Sequence, residues 1–182
     1  MKILKTDCLS DGFRMPGEFE KQDGCLMIYP WRPGSWNYNA KYARDVFVEI
    51  AHILGAYEDV YMIVRPEDMN EAITRLDHPH IHIIEASSDD AWARDTGPTF
   101  VINDKGERRG INWEFNAWGG SYDGLYSHWE NDQLIPNHLC EYLGDDLYEA
   151  RPFVLEGGSI HVDGEGTLIT TEECLLSPGR NP

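Results

Sequence analysis

The sequence predicts an α/β fold built from repeated strand, hairpin and helix segments, and three observations carry that reading. Apolar runs of strand length alternate with amphipathic helical stretches through the first half of the chain. The texture changes near residue 86, where polar loops begin to separate two hairpin patterns. The two hairpins share a signature, Asp95-x-Gly97-x-x-x-Val101 and Glu156-x-Gly158-x-x-x-Val162, with the acids sixty-one residues apart. A repeat of that length would set both carboxylates at equivalent positions about a symmetry axis.

The elements follow in order. Residues 24–30 form an apolar run that Pro30 closes, a strand. Residues 39–55 read as the best helix, with Val46, Phe47, Ile50, Ile53 and Leu54 on one face. Lys41, Asp45, Glu49 and His52 lie on the other face, and Gly55 can cap the end. Residues 59–64 are a second strand. Pro66, Glu67 and Asp68 then open a helix whose inner stripe is expected to be Met69, Ile73 and Leu76. A third strand spans 80–85. Residues 99–104, an N-D-K-G turn and 108–115 make the first hairpin. A weaker helix is expected around 128–143, interrupted by Pro136. The second hairpin joins 159–163 to 167–171 through a G-E-G turn. Asn181 before Pro182 looks like a helix N-cap with its first helical residue, so the sequence reads as truncated there.

Composition narrows the function. A length of 182 residues suits one domain, and 41% hydrophobic content is too high for a disordered chain. Acidic residues number 32 against 15 basic ones, for a formal charge of −17. That field repels phosphate backbones and anionic lipid and attracts small cations, which argues against nucleic-acid and membrane partners. No apolar segment has the length of a membrane span or the form of a leader. The four cysteines, Cys8, Cys25, Cys140 and Cys174, form no C-x-x-C pair, so they read as free thiols in a reducing cytoplasm. Walker, dinucleotide, H-E-x-x-H and G-x-S-x-G motifs are missing from the 182 residues.

Three segments could carry chemistry. In 89–98, carboxylates beside Trp92 and a Gly-Pro turn suit a flat cation such as a guanidinium, with carboxylate oxygens accepting its N–H groups and the indole covering it. An acidic surface loop with Arg94 paired locally explains the same residues. In 155–163, Glu156 before paired glycines could present a buried carboxylate to a ligand, and His161 with Asp163 could form a strand pair. His78, His80 and His82 alternate as three imidazoles of a metal site would, although a solvated edge strand explains them more simply.

Longer motifs then connect these segments. RMPGEFEKQ (14–22), YPWR (29–32), DDAWARDTGPTFVIND (89–104), WEFNAWGG (113–120), FVLEGGSIHVDGEGT (153–167) and CLLSPGRNP (174–182) together resemble the agmatine deiminases. That family belongs to the guanidine-modifying superfamily with the pentein fold, a five-bladed α/β-propeller. The resemblance implies a partial ring here, roughly half, with 1–182 as the N-terminal portion of a single domain. It also implies hydrolysis of agmatine to N-carbamoylputrescine and ammonia in putrescine synthesis. There a cysteine thiolate attacks the guanidinium carbon, ammonia leaves, and water activated by a histidine releases the product, with no metal or organic cofactor. By the same resemblance Asp95 binds the guanidinium, Trp92 lines the pocket, and Glu156 binds substrate or orients the catalytic histidine. The family's G-H-x-D histidine and G-G-x-x-H-C nucleophile have no counterpart among the 182 residues. His161-x-Asp163 belongs to the E-G-G motif instead, and none of the four cysteines has the nucleophile's context. The expectation is therefore an inactive fragment of a cytoplasmic enzyme open to homo-oligomer formation, holding part of a site for a small cationic guanidine. Two rival readings are a non-catalytic cation-binding module and a metal-dependent hydrolase using His161, Asp163 and the three strand histidines.

Overall fold

In a computed structural model describing residues 1–182, the chain passes through β1 (Ile3–Leu4), β2 (Gly24–Ile28), α1 (Lys41–Gly55), β3 (Asp59–Val64), α2 (Met69–Arg75), β4 (Ile81–Glu85), α3 (Ala93–Thr96), β5 (Thr99–Ile102), β6 (Arg108–Glu114), α4 (Gly120–Asp123), α5 (Ile135–Leu143), β7 (Asp146–Val154), β8 (His161–Val162), β9 (Leu168–Ile169) and α6 (Glu172–Leu176). The mixed α/β class read from the sequence holds. The chain divides into two compact units, Met1–Glu20 with Arg94–Pro182, and Lys21–Ala93.

In the unit Lys21–Ala93, β2, β3 and β4 pair in parallel in that order, with α1 and α2 as the crossovers that parallel strands require. Its core gathers Tyr29, Val60, Met62 and Val64 with Ala51, Ala72, Leu76 and Ile81. The helix boundaries match expectation, but the buried faces do not. On α1, Val46 and Ile53 are 51% and 55% exposed, whereas Ala51 and Gly55 are buried. The helix lies on the sheet through small residues, because they let the two backbones come close, and Val48 and Leu54 fill the flanks. On α2, Ile73 is likewise outside and Ala72 with Leu76 inside.

In the other unit, four strands run in the order β1-β7-β6-β5. β5 and β6 form the expected antiparallel hairpin, and β7 joins β6 in parallel with a bulge between Asn112 and Glu114. Pro136 does not interrupt a helix. It stands in the first turn of α5, where its missing N–H leaves no bond unmade, and a left-handed Gly144 (φ 77°) ends the helix. Cys140 of α5 packs where Gly110 has no side chain, since a Cβ there would lie 2.6 Å from its sulfur. The second hairpin is short: β8 and β9 pair His161 with Ile169 and Val162 with Leu168. The Asn181 amide ties two distant stretches of backbone: its oxygen accepts from the Val154 N–H (2.9 Å), and its nitrogen donates to the Val154 and Leu175 carbonyls (2.8 and 3.0 Å).

Candidate active site

The two acids of the repeated signature both stand ahead of a hairpin strand but on different backbone, Asp95 helical and Glu156 extended. Asp95 lies in the helical turn α3 just before β5, and Glu156 opens the 3-10 turn Gly157–Ser159 just before β8. The turns touch. The Gly158 N–H donates to Asp95 Oδ1 at 3.1 Å. The paired glycines are required for that approach, since a Cβ on Gly157 would meet the Arg94 carbonyl oxygen at 2.3 Å and one on Gly158 would meet Asp95 Oδ1 at 2.5 Å. Burial raises the Asp95 pKa. The Gly158 N–H works against that rise, the Glu156 charge adds to it, and Arg94 opposes it. Two carboxylates thus share one electrostatic environment within a single unit.

Glu156 is 1% exposed, and both of its oxygens are engaged. Arg180 Nε donates to Oε1 at 3.0 Å, and the Ser159 hydroxyl donates to Oε2 at 2.7 Å. The Arg180 guanidinium also donates through Nη1 to the Trp118 carbonyl. Sequence reasoning missed Arg180 because nothing local marks a partner twenty-four residues from Glu156. The CLLSPGRNP motif contained it without assigning it a role.

Trp92 belongs to the unit Lys21–Ala93, where it is half-buried and stacks on Trp36 with ring centroids 6.0 Å apart. Asp90, fully buried, fixes both indoles. Its Oδ1 accepts from Trp36 Nε1 (2.8 Å) and the Ala91 N–H (2.9 Å), and its Oδ2 from Trp92 Nε1 (2.9 Å) and the Ser35 hydroxyl. The Asp-Asp pair was visible in the sequence, but the indole at residue 36 that shares Asp90 was not. Arg94 pairs outside its own loop, with Glu18.

The other candidates are spread apart. His161 is exposed, and the Asp163 carboxylate closes the G-E-G turn by accepting from the Glu165 and Thr167 N–H groups at 2.8 and 3.0 Å. The pair is not a unit. On β4 and the turn before it, His82 Nε2 and His80 Nδ1 both reach Asp59 Oδ1, at 3.1 and 2.9 Å, and hold that carboxyl below its usual range. His80 and Asp59 border an open polar hollow of about 320 Å³, and His78 instead accepts from the His80 N–H in the turn. The cysteines are free. Burial pushes the Cys25 thiol up to about 11 and the Cys140 thiol up to about 12, so neither supplies a thiolate near neutral pH.

Comparison with known proteins follows the same residues. Residues 14–182 match the family described as Porphyromonas-type peptidyl-arginine deiminase. An agmatine deiminase of Pseudomonas syringae pv. tomato is 50% identical over 182 residues, covering all of this chain and 50% of the relative. The structure titled agmatine deiminase of Enterococcus faecalis catalyzing its reaction superposes with a TM-score of 0.96 at 46% identity, over all of this chain and 50% of that one. A C. jejuni agmatine deiminase, 22% identical, shares the fold with a TM-score of 0.73 over 91% of this chain and 48% of its own. The chain spans about half the length of the curated relatives it matches.

Proposed function

We propose, because the chain belongs to the Porphyromonas-type peptidyl-arginine deiminase family, that it supplies the acidic part of an agmatine deiminase site. The reaction is hydrolysis of agmatine to N-carbamoylputrescine and ammonia, a step of putrescine synthesis. Asp95 and Glu156 hold the guanidinium. One observation supports this reading: the turn that follows the buried Glu156 gives its Gly158 N–H to Asp95, so two carboxylates share one environment within one unit. Acids so placed stabilise a cation that no neutral pocket would hold.

The chemistry divides between groups inside and outside the 182 residues. A guanidinium carbon is a poor electrophile, and carboxylates alone orient it without attacking it. Thiolate and general base are therefore supplied from outside these residues, in keeping with the protonated Cys25 and Cys140 thiols. No metal or organic cofactor is part of the proposed reaction. In the same reading the repeated turn–hairpin units are portions of a five-bladed pentein ring, in a cytoplasmic enzyme open to homo-oligomer formation.

Titration calorimetry on the 182-residue chain tests the site. Agmatine is expected to bind, putrescine (the same chain without the guanidine) to bind at least tenfold more weakly, and Asp95→Asn to abolish the difference. Ammonia release by the chain alone is expected at background. Equal affinity for agmatine and putrescine would overturn the guanidinium assignment, and turnover lost on Cys25→Ala or Cys140→Ala would overturn the division of labour.

A further inference from the structure

Arg180 has no part in the reaction as proposed, yet it is built into the site with unusual care. Its Nε meets Glu156 Oε1 at 3.0 Å while Nη1 reaches backward to the Trp118 carbonyl. That carbonyl is turned toward Arg180 by a strained segment, because Ala117 and Trp118 both stand in the left-handed region (φ 54° and 67°). The segment carrying Arg180 is locked to the same loop. Gly179 packs so closely on Gly119 that a Cβ would meet its Cα at 2.7 Å, and Asn116 Nδ2 donates to the Gly179 carbonyl at 2.8 Å. A carboxylate offers about four lone-pair sites. Arg180 and Ser159 take one on each Glu156 oxygen, leaving the rest open.

We propose that Arg180 is a positioning residue for Glu156: braced on the Trp118 carbonyl, its guanidinium balances and immobilises the Glu156 carboxylate beside Asp95, so that the remaining lone pairs face a guanidinium ligand. The ligand's identity rests on the deiminase reading above, whereas the hold of Arg180 on Glu156 does not. Asp95 lies within electrostatic reach of Glu156, and Arg94 within reach of Asp95. A second use of the same contact would be self-occupancy, in which Arg180 fills the ligand's own place. The two uses have opposite consequences when the side chain is removed.

The test uses the 182-residue chain with Arg180→Ala and Arg180→Lys, and N-ethylguanidinium as a replacement for the deleted group. Agmatine binding by calorimetry is expected to weaken about tenfold or more in Arg180→Ala, the size of one lost charge-assisted contact. Millimolar N-ethylguanidinium should restore it there, while in the parent chain the same ion only competes. N-ethylguanidinium should also raise the Tm of Arg180→Ala, with no such gain in the parent and none from ethylammonium. Arg180→Lys, which keeps charge but lacks the fork, should bind more weakly than the parent. Unchanged or tighter agmatine binding in Arg180→Ala would overturn positioning, the tighter case pointing to self-occupancy. A Tm of Arg180→Ala indifferent to N-ethylguanidinium would overturn it too. Should Arg180→Ala fail to fold, refolding in N-ethylguanidinium decides: recovery supports the role and no recovery removes it. Should the parent chain not bind agmatine, the deiminase reading falls, and the thermal arm still decides Arg180.

Discussion

Asp95 carries its charge at a cost to the fold. Burial raises its pKa above the ordinary 3.8, the Gly158 N–H only partly offsets this, and the Glu156 charge adds to the rise. An acid shifted upward favours the folded state below its unfolded pKa and loses that advantage as pH climbs through the folded value. Asp95→Asn keeps an acceptor for Gly158 and removes the charge. Its Tm should exceed that of the parent chain at pH 7, with the gap closing as pH falls below 3.8, while agmatine binding disappears. Parallel melting differences at both pH values would mean that the carboxylate bears no such strain. Asp90 is the opposite case, since every donor around it needs its oxygens. Asp90→Ala leaves two indole N–H groups and a hydroxyl without their acceptor, and should cost roughly 3 kcal/mol in urea unfolding. The circular-dichroism couplet of the stacked Trp36–Trp92 pair should vanish with it. A loss below about 1 kcal/mol with the couplet intact would show that the indoles do not depend on Asp90.

At the scale of elements, α1 shows why an apolar stripe is not always the buried one. Val46, Ile50 and Ile53 make the stronger periodic pattern, yet the sheet receives Ala51 and Gly55. Ile53→Lys should therefore change stability by no more than about 0.5 kcal/mol, whereas Ala51→Leu should cost about 1–3 kcal/mol by overpacking. The reverse ranking in denaturant titrations would restore the stripe as the inner face. The turns at Asp95 and Glu156 make the complementary point. Their shared signature was legible as seven residues, and at Gly158 its glycine is a backbone requirement, since a Cβ there would meet Asp95 Oδ1 at 2.5 Å. What neither segment could show was that one turn's N–H caps the other's carboxylate, a contact between residues sixty-three positions apart.

At the scale of the molecule, the segment after residue 150 is thinly held. Phe153, Leu168, Ile169 and Leu176 are all exposed, and the hairpin there is held by two-residue strands. Few buried contacts and a short ladder mean cheap local opening. Hydrogen exchange is expected to be earliest across 153–176, and the chain is expected to self-associate through that surface. Its charge of −17 opposes association, so sedimentation should show larger species as salt screens the repulsion. A monodisperse monomer at 0.5 M salt with slow exchange through the hairpin would show that this surface is stable without a partner.

The sequence by itself determined the α/β class, the strands and helices of the first half, both hairpins and the two acids, because hydrophobic period, turn residues and glycine placement are local properties of the chain; the nine-residue β7 it did not reveal. It also carried the family, through long motifs that extend over nearly all of the 182 residues. Only the tertiary structure decided which side of each helix is buried, that Pro136 begins α5, that Asn181 staples Val154 to Leu175, and that His161 and Asp163 do not act together. It alone brought Arg180 to Glu156 and Trp36 to Asp90. Those contacts join residues distant in sequence, and a buried charge finds its partner through packing that no periodicity records.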